Sequence, residues 1–245
     1  MPLIYQERIF DTGENPEVYI YSARRMPRNG EKRAKTKVTS DVQALLNKNN
    51  AIKQARRLLN ANFCSNDNHY IFTFAENPES DDEAFREYQN LSRRLKRLAK
   101  KKGVELKKLA TIEKTKKNGI FHFHIIMNID LSAEETNKVW GKGIVPRSPL
   151  YIFDDGLGGL AQYIQKNPIQ GKRWMASKNL VIPEPEIVNG RISKRKIEEL
   201  AKNTDRLNEY SKLYAERGWR AVNVVHKLDV IGRHYFEIIF KKEKR

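Results

Sequence analysis

Cysteine is almost absent: Cys64 is the only one in 245 residues. An internal disulfide is therefore excluded, and so is a zinc site built on several thiolates. No apolar run approaches the roughly 20 residues of a membrane-spanning helix. The start, Met1-Pro2-Leu3-Ile4-Tyr5-Gln6-Glu7-Arg8, lacks the plan of a signal peptide. A cytoplasmic protein with no membrane partner is expected. There is no Gly-x-x-x-x-Gly-Lys-Ser/Thr loop, which argues against a nucleoside-triphosphatase motor, and there is no internal repeat or low-complexity tract. Acidic residues are in deficit, 30 against 47 basic ones, for a net charge of +17 and a pI near 9.8. That balance favours a polyanionic partner, most simply nucleic acid. Solubility or an anionic membrane surface would produce the same balance, so charge alone does not choose. Hydrophobic residues make up 39% of the chain, low but sufficient at this length for one ordinary core with an appendage.

What the chain does have is centred on Gly119-Ile120-Phe121-His122-Phe123-His124-Ile125-Ile126-Met127-Asn128. The stretch is apolar and β-rich and follows an Asn-Gly pair, so it reads as a strand leaving a turn. Two of the five histidines lie in it at i, i+2, which places both imidazoles on one face of a strand. Phe121, Phe123, Ile125 and Met127 take the opposite face and can form the core. Two histidines on one rigid surface suit a divalent metal such as Mn²⁺, Zn²⁺ or Fe²⁺. The preceding strand, Leu109 to Thr115, offers a third ligand. If Asn118-Gly119 is a two-residue turn, Glu113 faces His124; if the loop is Lys116 to Gly119, Glu113 faces His122. Both registers put Glu113 on the histidine face, whereas a three-residue loop or a bulge breaks that parity.

Along the chain, residues 1–17 give little signal and Val18 to Ser22 reads as a short strand. Residues 23–38 carry Arg24, Arg25, Arg28, Lys32, Arg33, Lys35 and Lys37 in a solvated linker or a DNA-contacting arm. Thr39 or Ser40 is placed to cap a helix ending near Asn62, with Val42, Leu45, Leu46, Ile52, Ala55, Leu58 and Leu59 on one apolar face. Tyr70 to Ala75 reads as a buried strand. Ser80 or Asp81 opens a helix with Phe85, Tyr88, Leu91, Leu95 and Leu98 inward and Arg93, Arg94, Lys96 and Arg97 around the rest. Ser132 caps a short helix. Tyr151-Ile152-Phe153 reads as a strand, and Asp154 or Asp155 as the cap of a helix bearing Leu160, Ala161, Tyr163 and Ile164 that Pro168 ends. Helices over 192–217 closed by Gly218 precede two strands, about 221–227 and 234–241. The resulting division is an N-terminal segment 1–38, a core 39–185 and a C-terminal part 186–245 of the same domain.

At this point the residues resemble a family. His122-Phe123-His124 between hydrophobic residues resembles the His-hydrophobic-His motif of the HUH endonucleases, and among them the rolling-circle replication initiators (Rep proteins) of small plasmids and single-stranded DNA phages. The similarity spans roughly 40–185. Phe72-Thr73-Phe74-Ala75-Glu76-Asn77 looks like the family's first, structural motif. Glu113 stands where the family places a polar residue ahead of its histidines. Tyr163-Ile164-Gln165-Lys166 is similar to its nucleophile motif, Tyr-x-x-Lys. Ser177-Lys178-Asn179-Leu180 resembles a short Ser-basic-x-Leu stretch that often follows. One departure is that the position four before Tyr163 is Gly159, where some relatives have a second tyrosine.

The resemblance implies an α+β fold of HUH (RRM-like) type. A central antiparallel sheet carries the His-x-His strand, helices pack on one face, and the tyrosine helix lies over the metal face. It implies Tyr163 as nucleophile, Lys166 as its electrostatic aid, and Mn²⁺ or Mg²⁺ held by His122, His124 and Glu113. The partner would be single-stranded DNA at a replication origin, contacted by Arg173, Trp174, Ser177 and Lys178. This chain has no helicase domain, so unwinding would fall to a host helicase, with a host polymerase extending the primer. Two other classes remain open on the residues alone: a nucleic-acid-binding module without catalysis, and a cupin-like oxygenase holding iron with two histidines and a carboxylate. Against the oxygenase, Glu113 precedes the histidines and no third histidine motif follows.

Overall fold

The computed structural model describes residues 4–23, 41–166, 169, 173–229 and 232–243, with the backbone alone at 42. The basic stretch 24–38, the capping candidates Thr39 and Ser40, and Pro168 lie outside the described residues. Among the described residues the chain is α+β with two five-stranded antiparallel sheets. It divides into two compact units: Met1–Leu46 with Phe153–Gly156 and Ile182–Arg245, and Asn47–Ile152 with Leu157–Val181.

In the first unit the strands β1 (Ile4–Phe10), β2 (Glu17–Ala23), β8 (Pro185–Asn189), β9 (Trp219–Leu228) and β10 (His234–Lys242) run in the order β8-β1-β2-β10-β9. Alternation turns Tyr5, Ile9, Val18, Ile20, Phe236 and Ile238 to one face. There they meet Ile197 and Leu200 of α5 (Lys194–Lys202) and Tyr210 of α6 (Leu207–Lys212). Strands from both ends share one sheet, with Gln6 opposite Asn189, 183 positions away. Pairing at that separation has no local signature.

Glu7 faces the same interior and is 1% exposed. Its carboxylate accepts from Arg191 Nε at 3.0 Å, from Arg191 Nη2 and from the Tyr214 hydroxyl. Removing the guanidinium leaves a buried carboxylate underpaired. Arg191 is itself partly exposed, so the cost falls below that of a fully buried pair. Arg191→Ala should lower stability by about 2 kcal/mol, read from the urea midpoint.

In the second unit the sheet order is β6-β3-β5-β4-β7, formed by β3 (Asn68–Thr73), β4 (Lys108–Lys114), β5 (Phe121–Met127), β6 (Arg147–Pro149) and β7 (Met175–Ala176). The histidine strand is therefore central. Its Phe121, Phe123, Ile125 and Met127 pack with Tyr70, Phe72, Ala110 and Ile112 beneath α2 (Asp81–Lys101). Ser80 caps that helix through Glu83 N, and α2 buries Ala84, Tyr88, Leu91, Leu95 and Ala99. Ser132 opens α3 (Ala133–Val139) with a reciprocal bond to Glu135. The other face of the sheet, with Leu109 and Ile126, is covered by Ala55 and Leu59 of α1 (Asp41–Asn62) and by Ala161 and Ile164 of α4 (Gly158–Ile164).

Three local expectations change. Leu45 and Leu46 of α1 are 59% and 50% exposed, so the buried face of this helix begins only near Ala51. Tyr151-Ile152-Phe153 forms no strand; only an isolated Phe153–Gly156 bridge appears there, because the chain turns at Gly156 with φ 79°. Neither Asp154 nor Asp155 caps α4, whose first turn has no side-chain cap; Asp154 pairs with Lys241 at 2.7 Å instead.

Lys108 lies on the α2 face of the sheet, where its Nζ donates to the Tyr88 hydroxyl. Burial pushes this amine down to about 8 and the Tyr88 phenol up. The folded amine loses its proton before the unfolded one does, so stability rises with pH from about 8 towards 10 and the full penalty is present below 8. Lys108→Met should abolish that slope and raise stability at pH 7 by about 2 kcal/mol, measured by denaturant titration across that range.

Candidate functional site

The site starts from the β4–β5 hairpin. Thr115 N donates to Ile120 O at 2.9 Å and Gly119 N to Thr115 O at 2.9 Å, so the loop has four residues, Lys116 to Gly119. Gly119 takes φ 65°, which glycine adopts without a Cβ penalty. Asn77 holds the far side of the turn, its Oδ1 accepting from Phe121 N at 2.8 Å. Of the two registers read from the sequence, this is the one in which Glu113 stands opposite His122 and Thr111 opposite His124.

One oxygen of Glu113 then reaches both histidines. Oε2 lies 3.1 Å from His122 Nε2 and 2.9 Å from His124 Nε2. The donor atoms of Glu113, His122 and His124 all fall within 4.8 Å of one another. Glu113 and His124 are buried, and His122 is half-buried. Burial pushes the His124 imidazolium down, against the opposing pull of Glu113. A neutral ring keeps a lone pair for coordination. A carboxylate oxygen and two imidazole nitrogens converging on one point fit a divalent transition metal. The Thr111 hydroxyl, on the same face, is buried with no hydrogen-bond partner, which marks a polar requirement that the protein alone leaves unmet.

A third histidine, absent from the sequence reading, belongs to the same face. His69 of β3 pairs with Ile126 of β5, next to the pair Ile71–His124. Its Nε2 lies 3.1 Å from His124 Nδ1, and the two rings stack at 5.2 Å. Burial, and then the neighbouring His124, push His69 down to about 3. The sequence signal was a histidine in a neighbouring strand, but its relevance depended on the β3–β5 register, which only the long-range pairing defines.

Tyr163 comes to this face from α4. The helix has seven residues and opens with Gly158 and Gly159, so propensity contributes little to it. Tertiary contacts hold it: Asn60 Oδ1 of α1 accepts from Leu157 N at 2.8 Å, and Ala161 and Ile164 are buried. Tyr163, 46% exposed, stands edge-on to the His124 ring at 5.0 Å and to His69 at 6.2 Å. Lys166 is exposed and lies beyond the last helical residue, its N–H bonded to Tyr163 O at 3.2 Å. It thus follows the tyrosine in a terminal turn.

The four residues expected to touch DNA have varied surroundings. The Arg173 guanidinium donates to Asn47 O at 2.6 Å, and its own carbonyl accepts from the buried Gln165 at 3.0 Å. Trp174 is half-buried against Leu109, Ile126 and the α4 cluster. The Ser177 hydroxyl accepts from Lys108 N at 2.7 Å and donates to Lys108 O at 3.2 Å, continuing the β4–β7 pairing. Lys178 is exposed.

The comparisons with known proteins fall on the same segment. Residues 69–168 match the family model described as replication-associated protein ORF2/G2P. The match begins at His69 and includes Glu113, His122, His124, Tyr163 and Lys166. Neither a curated protein nor a solved structure matches the chain significantly. Among the described residues no helix is long and apolar enough to cross a membrane.

Proposed function

We propose that this chain is a rolling-circle replication initiator of the HUH type, which nicks single-stranded origin DNA by transesterification. The observation that carries the reading is the T-shaped packing of the Tyr163 ring on His124, with ring centroids 5.0 Å apart, His124 being part of the Glu113/His122/His124 cluster. A two-histidine, one-carboxylate set alone would serve an iron oxygenase equally well. The tyrosine beside it, inside a segment matching a replication-associated family, favours the nickase.

In the proposed reaction the Tyr163 oxygen attacks the scissile phosphorus. The new O–P bond forms as the bond to the 3′ oxygen breaks. The products are a 5′-phosphotyrosine and a strand with a free 3′-OH; the phenol proton leaves to solvent and the departing 3′ oxygen takes a proton from solvent. A divalent cation held by Glu113, His122 and His124 would polarise the phosphate and offset charge building on its oxygens. Because imidazole is a poor Mg²⁺ ligand, Mn²⁺ should serve at least as well. Lys166 would stabilise the phenolate or the crowded phosphate from the turn after the helix. Arg173, Trp174, Ser177 and Lys178 would guide the strand by phosphate contact and stacking. With Gly159 in place of a second tyrosine, a second subunit or a water would complete the cycle.

The test is incubation of the purified protein with labelled single-stranded oligonucleotides from its own replicon and Mn²⁺, followed by a denaturing protein gel. A retarded, labelled protein band is expected. Tight binding with no band on any origin-derived strand would replace the nickase with a non-catalytic binding module.

A further inference from the structure

The His69–His124 contact has a role that the nickase chemistry does not itself supply. His124 offers Nε2 to the Glu113 side, 2.9 Å from its carboxylate, and Nδ1 to His69, 3.1 Å away. A histidine that ligates through Nε2 must carry its proton on Nδ1, and a buried N–H requires an acceptor. His124 is 0% exposed, so water does not reach its ring, and the acceptor in place is His69 Nε2. The ring of His69 also stacks on His124 and meets the edge of Tyr163, so one side chain touches both the ligand and the nucleophile.

We infer that His69 is a positioning residue that accepts from the Nδ1–H of His124 when His124 ligates through Nε2, and thereby sets the metal affinity of the site. The inference rests on the metal-site reading above. An imidazole suits the task better than a carboxylate would. Without metal, His124 can donate from Nε2 to Glu113 and accept from His69 at Nδ1. With metal, the same contact reverses, with His124 donating and His69 accepting. The contact is satisfied in both states because neutral imidazole has one donor and one acceptor. A carboxamide at position 69 preserves both capacities, whereas a phenyl ring keeps the volume and removes both.

The experiment is calorimetric titration of the DNA-free protein with Mn²⁺, for wild type, His69→Phe and His69→Gln, with thermal unfolding of each metal-free form as the control for folding. His69→Phe should weaken binding about 10- to 100-fold, the usual cost of losing an outer partner of a ligating histidine. His69→Gln, whose amide reaches the Nε2 position, should recover most of that loss. Nitrogen NMR of the Zn²⁺-loaded wild type should show a protonated Nδ1 on His124. Mn²⁺ binding by a folded His69→Phe protein equal to wild type overturns the inference. So does an equal loss in His69→Gln, which would assign the effect to ring packing. Mn²⁺ binding without a covalent DNA adduct would sink the nickase and leave His69 in its role. A wild type that binds no Mn²⁺ would remove the metal site and the role together.

Discussion

Tyr163→Phe should lose the covalent protein–DNA product by at least about 10³-fold while binding single-stranded DNA within roughly twofold of wild type. The physical reason lies in what the substitution keeps. The phenylalanine ring retains the edge-on contacts with His124 and His69, and Ala161 and Ile164 still anchor the helix. Only the nucleophilic oxygen goes. Phosphate contacts set most of the affinity for a nucleic-acid backbone, and the proposed reaction assigns that oxygen to the chemical step. The adduct is read on a denaturing gel and the binding by fluorescence anisotropy at a fixed salt concentration. A persistent band would move the nucleophile elsewhere, and Tyr151, 70% exposed, is the next phenol to test.

Glu113→Gln should remove metal-dependent stabilisation and the adduct together. The substitution keeps the side-chain volume but replaces the anion whose single oxygen lies within 3.1 Å of both histidines. For the wild type, Mn²⁺ at 100 times its dissociation constant should stabilise the fold by about 2.7 kcal/mol. For a chain of this size that corresponds to a rise in Tm of several degrees, roughly 2–4 °C per kcal/mol. Chelation with EDTA should reverse the rise, and Mn²⁺ should restore both stability and adduct formation. In Glu113→Gln the rise should shrink towards zero at the same Mn²⁺ concentration. An undiminished thermal shift in Glu113→Gln would place the cation away from this cluster.

Much of the site was legible because a strand has a period of two. That period alone puts His122 and His124 on one face and Phe121 and Phe123 on the other, and the structure buries the phenylalanines under α2. Glu113 was legible for the same reason: both hairpin registers under consideration share its parity. The register itself was not, since it depended on Thr115 closing against Ile120. The α1 face was half legible. Its apolar spacing is regular from Leu45 onward, yet spacing states only which residues share a side, and burial depends on what lies opposite.

The sequence by itself determined the chemistry available to this protein: a basic chain with one cysteine, a His-x-His strand behind a turn, an acidic residue on the matching face and a Tyr-x-x-Lys after it. These follow from residue type and short spacing, which local geometry converts directly into shared faces. Only the tertiary structure decided which strands neighbour the histidines, that His69 stands behind His124, that α4 holds its tyrosine against them, and that β1 and β2 join β8, β9 and β10 in a sheet of their own. Each of those is a contact between residues distant in the chain. Such contacts are selected by the burial of whole faces, a property of the folded packing and not of any stretch of sequence.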